Sequence, residues 1–227
     1  MEQHHRGVIK SMQSRSRGFW RLWSIGGFVC LLGWSSWATA ASGLDILHHF
    51  FQGTHTITAQ FSQEVANHDG QIVKKASGRL WISRPGQFRW DYSGANGQTI
   101  VSNGTKVWLY EPALQQVTVQ PLGKALGSTP AALIAGNDDL SQRFDISDLG
   151  TKNQLHWLLL RPKNGQDQGF TSLRLGFNQA GILQEMRMED AFQQETVLHF
   201  THIQINSAIP AKEFQFTAPA GVDVLSQ

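Results

Sequence analysis

Apolar and polar residues alternate along most of the chain from residue 57 onward, and short turn sequences divide this alternation into strand-length runs. The clearest two runs meet at Arg84-Pro85-Gly86. Because successive side chains of a strand point to opposite faces, Leu80 and Ile82 share a face before this bend. Phe88 and Trp90 share a face after it. The pattern predicts a β-hairpin with a dense apolar lining on one face.

Further runs of the same kind follow this hairpin. Asn103-Gly104 is the strongest short hairpin sequence in the chain, and it separates runs at 99–102 and 107–110. About ten or eleven strands are predicted in all, the last of them over residues 209–216. Short strands in this number, separated by turn residues, indicate one strongly curved antiparallel sheet.

Two segments carry helical patterns instead. Residues 44–51 have an apolar stripe at helical spacing. Residues 130–136 begin with a proline, which favours the first helical position, and end with a glycine. Short helices in such a protein have to pack over a sheet face, so we expect them to cover the concave side of an incomplete barrel. The stripe of the first segment consists of Leu44, Leu47, Phe50 and Phe51.

The first forty residues have the features of an export signal. Basic residues precede an apolar run at 22–34, and Ala38-Thr39-Ala40 supplies the small residues that signal peptidase requires. The alternative is an uncleaved anchor, but the run is short for crossing a hydrocarbon core. We therefore expect residues 1–40 to be a cleaved signal peptide and residues 41–227 to form a single domain.

Removal of this leader reverses the sign of the net charge. The whole chain carries +2, but the leader holds five of the 19 Lys and Arg and one of the 17 Asp and Glu, which leaves −2. The pI of about 8.8 therefore reflects the leader and gives no support for nucleic-acid binding. Cys30, the one cysteine, also lies in the leader, so we expect a disulfide-free domain that suits an oxidising compartment.

Patterns typical of catalytic or metal sites are weak. The sequence has no G-x-S-x-G, H-E-x-x-H or phosphate-binding loop. His48 and His49 are adjacent on a predicted helix and point in different directions, which suits a single metal poorly. We expect no enzyme, metal or other cofactor. Arg84 is different, because from the sheet rim its guanidinium is able to reach free carbonyls at a helix C-terminus. A solvated turn arginine is the simpler alternative.

Five motifs occur in order between residues 44 and 224, beginning after the first predicted helix. They are F-S-Q-E at 61–64, G-R-L-W-I-S-R-P-G-Q-F-R-W-D-Y at 78–92, I-V-S-N-G-T-K-V-W-L-Y-E-P at 100–112, T-P-A-A-L-I-A-G at 129–136 and I-P-A-K-E-F-Q-F-T-A-P-A-G-V-D-V at 209–224. In this order they resemble the periplasmic outer-membrane lipoprotein carrier proteins, the LolA family.

The resemblance implies a mainly β (α+β) fold, an unclosed antiparallel β-barrel of about eleven strands with a short-helix lid over a hydrophobic cavity. Family members accept an acylated lipoprotein from an inner-membrane ABC transporter complex. They carry it through the periplasm and deliver it to an outer-membrane lipoprotein receptor. The resemblance thus implies a monomeric carrier, without covalent catalysis, cofactor or nucleic-acid partner.

The resemblance also assigns site residues. Arg84 corresponds to the arginine that bonds to the lid in this family and holds it closed. Apolar residues from the predicted helices and strands are the candidates for the cargo cavity. These candidates are Leu47, Phe50, Phe51, Phe61, Leu80, Ile82, Phe88, Trp90, Trp108, Leu133 and Ile134.

Three other classes of protein are compatible with the residues themselves. The same curved sheet occurs in carriers or sensors of free lipid or of lipopolysaccharide-like ligands. An enzyme acting on lipids is less favoured, because nucleophile and metal motifs are missing. A structural protein with a filled core is the third alternative, because periodicity does not distinguish a core residue from a pocket-lining one.

Overall fold

The computed structural model describes residues 43–125, 130–136, 140–163 and 169–226. The expected signal peptide lies outside these residues. Within them the chain forms twelve strands, four short α-helices and two 3₁₀ turns. The helices are α1 (Gly43–Gly53), α2 (Leu122–Ala125), α3 (Pro130–Ala135) and α4 (Leu140–Arg143). The strands are β1 (Thr56–Ala66), β2 (Ile72–Ser83), β3 (Gln87–Tyr92), β4 (Thr99–Asn103), β5 (Lys106–Glu111), β6 (Gln116–Pro121), β7 (Phe144–Lys152), β8 (Leu155–Pro162), β9 (Ser172–Phe177), β10 (Leu183–Glu189), β11 (Glu195–Ile205) and β12 (Asp223–Ser226).

All twelve strands belong to one sheet with the order β12-β6-β5-β4-β3-β2-β1-β11-β10-β9-β8-β7. Strands β2 to β6 form one antiparallel meander and β7 to β11 form another, and β1 joins them by pairing with β2 and β11. The edge strands β7 and β12 are not paired with each other. The predicted unclosed barrel of about eleven strands is therefore confirmed, with one strand more than expected.

The order of the strands explains where the short helices lie. The first meander ends at β6, beside one edge of the sheet, and the second begins at β7, the other edge. The connecting chain includes α2, α3 and α4. Buried residues of α3 belong to the same apolar cluster as residues of β2, β3 and β8. The crossover consequently covers the inner face of the sheet, as the sequence predicts.

Helix α1 presents a slightly different face from the predicted one. Leu47 and Phe50 are buried against the sheet, and Phe51 packs at the edge of the cluster. Leu44, predicted to lie on the same stripe, is 54% exposed. Gly43 takes its place on the buried side, one turn before Leu47. The helix therefore lies close to the sheet at its first residue.

The C-terminal segment differs from the prediction. Residues 209–216 contain a 3₁₀ turn, Ala211–Phe214, instead of a strand. The last strand is β12, and it pairs with β6 in parallel. This segment packs on the outer face of the sheet, where Phe214 is buried and the ring centroids of Trp108 and Phe216 lie 6.3 Å apart. A second, smaller apolar cluster therefore covers part of the outer face.

We predict that Phe214→Ala lowers the free energy of unfolding by about 3 kcal/mol, because a side chain only 3% exposed is removed from this outer cluster. Phe192→Ala is the matched control, since Phe192 is 86% exposed and its loss is expected to change stability by less than about 0.5 kcal/mol. Chemical denaturation measures both. Equal effects of the two substitutions would show that the outer cluster does not stabilise the fold.

Candidate functional site

An apolar hollow lies between α1, α3 and the inner face of the sheet. Helices α1 and α3 are here called the lid, and they contribute Phe50 and Ile134 to the wall of the hollow. Thr54, which follows α1, is the one polar residue at this wall. The sheet side comes from β1, β2, β10 and β11. Its residues are Ile57, Ala59, Leu80, Ile182, Leu183, Phe200, Ile203 and Ile205.

The hollow is narrow in this structure. The volume open to the centre of a water-sized sphere is about 20 Å³, which is room for about one water molecule. An acyl chain is far larger than this.

Arg84, at the end of β2, binds both parts of the lid. Its Nη1 donates to the carbonyl oxygens of Phe50, at 3.2 Å, and of Thr54. Its Nε and Nη2 donate to the carbonyl oxygen of Ile134, at 3.2 and 2.9 Å. These carbonyls lie at the C-terminal ends of α1 and α3, where helices leave their last carbonyls without intrahelical donors. The predicted contact between Arg84 and a helix C-terminus is present, and it joins two helices instead of one.

The charge of Arg84 favours these contacts. The partial negative charge of two helix C-termini attracts the cation. The guanidinium carbon also lies 4.5 and 4.7 Å from the ring centroids of Phe50 and Phe51. Burial lowers the pKa of Arg84 to about 10, which leaves it charged at neutral pH. Within the described part of the chain, no acidic side chain forms an ion pair with it.

The bend that follows Arg84 is itself firmly held. The Gly86 amide donates to the Ala135 carbonyl at 2.9 Å, which adds a backbone bond to the α3 contact. The buried Ser102 hydroxyl donates to the Gly86 carbonyl at 2.7 Å. Gly86 has φ +75°, and a Cβ there would lie 2.7 Å from Leu122 Cδ2, so glycine is required. Arg84 therefore projects from a turn that hydrogen bonds hold in place.

Two further residues hold α1, and no sequence pattern indicated either of them. Asn206 donates from Nδ2 to the Gly53 carbonyl at 2.8 Å, at the C-terminus of the helix. At the N-terminus, the Gly43 amide donates to Asp148 Oδ2 at 2.7 Å. These partners lie 153 and 105 residues away in the sequence, so only the folded sheet brings them to the helix.

Asp148 is well suited to hold a helix N-terminus. Its Oδ1 accepts a bond from the Gly150 amide and lies 2.8 Å from His156 Nε2. The amides of Gly150 and Gly43, together with His156, lower the pKa of Asp148 below its usual value. The carboxylate therefore stays ionised at mildly acidic pH and keeps its contact with the positive end of the α1 dipole.

The structure places most of the predicted cavity residues together. Phe50, Leu80 and Ile134 line the hollow directly, and Phe51 packs at the edge of the cluster. Trp108 lies apart from the others, because its register partner is Val101 on the outer face and its ring packs near Phe216. The other predicted residues are buried in the same cluster as the hollow. They are Leu47, Phe61, Ile82, Phe88, Trp90 and Leu133.

Several lining residues were missed because β11 contains a bulge. Thr58 of β1 pairs with Gln204 of β11, and Gln60 pairs with Thr201. Between these pairs β11 therefore has one residue more than β1. The extra residue changes the alternation, so Phe200 and Ile203 both face the hollow although three positions separate them. Simple alternation places these two residues on opposite faces.

Other kinds of site are not seen in the described residues. No group of three or more His, Cys, Asp or Glu side chains in these segments is placed to hold a metal ion. No helix within them is long and apolar enough to cross a bilayer. Arg84 does not line the hollow itself, but it bonds to three residues at its wall, Phe50, Thr54 and Ile134.

The fold is an open β-barrel with short helices bonded over an apolar hollow, and comparison with known proteins identifies the family. The family model "Outer membrane lipoprotein carrier protein LolA" matches residues 52–217. An outer-membrane lipoprotein carrier protein of Dechloromonas aromatica is 43% identical over 187 residues, which cover 82% of this chain and 89% of the relative. One from Nitrosomonas europaea is 42% identical, over 87% of this chain and 94% of the relative. The chain belongs to the LolA family.

A solved structure supports the same fold. An uncharacterized conserved protein from Thermus thermophilus superposes with a TM-score of 0.52 at 14% identity, over 81% of this chain and 98% of that chain. At this identity the likeness concerns the fold alone.

We predict that Asp148→Asn speeds amide hydrogen exchange in the first turn of α1, because one amide oxygen replaces two carboxylate oxygens that now accept from Gly43 and Gly150. Asp69→Asn is the control, since Asp69 forms an exposed pair with His68 in a distant turn. An unchanged exchange rate in the first turn would show that Asp148 does not hold the N-terminus of α1.

The same contact predicts a pH dependence. The pKa of Asp148 is lowered in the folded state, so the ionised carboxylate stabilises the fold at pH values above its unfolded pKa near 3.8. This stabilisation is lost as the pH falls through the lower folded-state pKa. Exchange protection of the first turn should therefore persist at pH 5 and weaken only below about pH 3.8. Loss of protection between pH 7 and 5 would contradict this.

Proposed function

We propose that this protein is a periplasmic carrier that shields the acyl chains of lipoproteins in its hollow during transfer to the outer membrane. The observation that carries the proposal is the latch, the set of hydrogen bonds from Arg84 that joins both lid helices to the sheet above an apolar interior without any covalent link. Membership of the LolA family and the names of the relatives support it. The role requires no covalent step.

The energetics of acyl chains explain why such a carrier needs a lid. Burial of one CH₂ group contributes roughly 0.8 kcal/mol, so a palmitoyl chain gains on the order of 10 kcal/mol on leaving water. A permanently open apolar groove would retain its cargo. A lid that is held closed by hydrogen bonds offsets part of this gain in free energy, because cargo binding has to break those bonds first.

The direction of transfer follows from this competition. We propose that an inner-membrane ABC transporter complex supplies the lipoprotein and that an outer-membrane receptor accepts it. The closed, empty form is stabilised by the bonds from Arg84 to Phe50, Thr54 and Ile134. Delivery to an acceptor is favoured because the empty carrier regains these bonds.

The main test is purification of the protein from the periplasm followed by mass spectrometry of whatever accompanies it. An acylated polypeptide supports the proposal. A free lipid or a lipopolysaccharide-like molecule instead would favour a carrier or sensor of that ligand. A protein that never retains an acylated ligand, even when lipoproteins are supplied directly, would contradict both.

We predict that Arg84→Leu binds acylated cargo more tightly, roughly tenfold or more, and transfers it less completely to the acceptor. The substitution removes the bonds that the open form lacks, so opening becomes easier. Arg89→Leu is the matched control, because Arg89 lies on the next strand and pairs with Asp91 at 2.7 Å, away from the lid. Transfer by Arg84→Leu equal to that of the wild type would contradict the latch role.

We also predict that Ile203→Ser lowers the affinity for acylated cargo while leaving the protein folded. Ile203 lines the hollow but is only half-buried, so its replacement removes apolar wall at a small cost in stability. Leu149→Ser is the control, since Leu149 is exposed and lies outside the wall. Lipopeptide titration and thermal melting, run together, measure the two effects. Unchanged affinity would mean that cargo does not contact this wall.

A further inference from the structure

Trp90 on β3 carries a buried polar atom without a partner. The residue is 2% exposed, and its indole Nε1 has no hydrogen-bond acceptor among the described residues. A buried tryptophan N–H normally finds an acceptor. A phenylalanine would fill an apolar wall without a donor left unsatisfied. The Trp90 N–H is therefore available to a ligand that brings an acceptor.

The indole packs directly behind the wall of the hollow. Its register partners on the neighbouring strands are Leu80 and Ile100. Its ring centroid lies 4.7 Å from that of Phe61 and 6.2 Å from that of Phe200. Leu80 and Phe200 themselves line the hollow. Only the side chains of Leu80 and Phe200 thus separate the indole from a ligand that pushes the lid outward and enlarges the hollow.

The neighbouring polar group does not satisfy this donor. The Tyr92 hydroxyl, two positions along β3, donates its proton to Gln63 Oε1 at 2.8 Å. Burial raises the pKa of Tyr92 to about 12, and the nearby Trp90 indole offsets part of this rise. The indole and the hydroxyl nevertheless do not adopt hydrogen-bond geometry in the closed form. Trp90 Nε1 is thus a free donor beside a second polar group.

We propose that Trp90 Nε1 donates a hydrogen bond to a carbonyl oxygen of the cargo's acyl linkage when the hollow is loaded. The inference rests on the proposed function and adds a specificity to it. Ester- and amide-linked acyl chains carry a carbonyl where the chain begins, and ether-linked alkyl chains do not. The carrier therefore distinguishes acylated from alkylated molecules of equal apolar area. From Trp90 the tail of the cargo extends along Leu80 and Phe200.

The test compares two synthetic lipopeptides of equal chain length, one with ester-linked palmitoyl chains and the other with ether-linked hexadecyl chains. We expect the wild type to bind the ester form roughly threefold to tenfold more tightly, the effect of one neutral hydrogen bond. Trp90→Phe should bind both forms and lose the preference. Trp157→Phe is the control, because Trp157 Nε1 already donates to the Lys152 carbonyl at 3.1 Å, and it should keep the preference.

Nuclear magnetic resonance of ¹⁵N-labelled tryptophan gives an independent readout that needs no variant in the binding assay. The Trp90 indole signal is assigned by its absence from Trp90→Phe, and we expect a downfield proton shift with the ester form only. Equal affinities of the wild type for the two lipopeptides would overturn the inference. So would an upfield proton shift of this signal in empty Tyr92→Phe as large as the shift expected on loading, because Tyr92 would then already be the acceptor. If neither lipopeptide binds the wild type, the proposed function itself fails.

Discussion

The guanidinium of Arg84 bonds to backbone carbonyls of two separate helices and so links both of them to the sheet. Arg84 reaches the ends of α1 and α3, and these ends have carbonyls that the helices cannot satisfy themselves. The contact is strong because the donor is charged, and it is reversible because water can replace each acceptor. No acidic residue in the described segments competes for the cation. The rest of the site depends on this balance between strength and reversibility.

The topology of the sheet requires a crossover between its two edges. The chain between β6 and β7 makes this crossover, and the packing of α3 places it over the inner face. The apolar side chains of α3 then fill most of the space beneath it, and the remaining volume is about 20 Å³. The domain is thus well packed in this structure, with little free volume beneath its lid.

The sequence predicted the features that depend on local patterns. Alternation located the inner-facing Leu80 and Phe88, and the proline and glycine around 130–136 located α3. Arg84 was found because it lies at a bend between two such strands. Trp108 was assigned to the wrong face, because two apolar faces exist and alternation does not say which one meets the lid. Tertiary packing decides this.

Features that depend on distant partners were not predictable in this way. Asp148 and Asn206 meet α1 only after β7 and β11 have taken their places in the sheet. The bulge in β11 changes the side-chain alternation and is set by pairing with β1. The segment at 209–216 has an apolar pattern that suits a strand, but Phe214 is buried from a 3₁₀ turn on the outer face.

Helix α1 is tied to both meanders at once. Its first residue is bonded to Asp148 on β7, the edge strand of the second meander, and its last turn is bonded to Arg84 at the end of β2 in the first. Helix α1 therefore bridges the two meanders from the inner side, in addition to the link that β1 makes within the sheet. A change in the position of this one helix is consequently felt at both the edge strand β7 and the bend after β2.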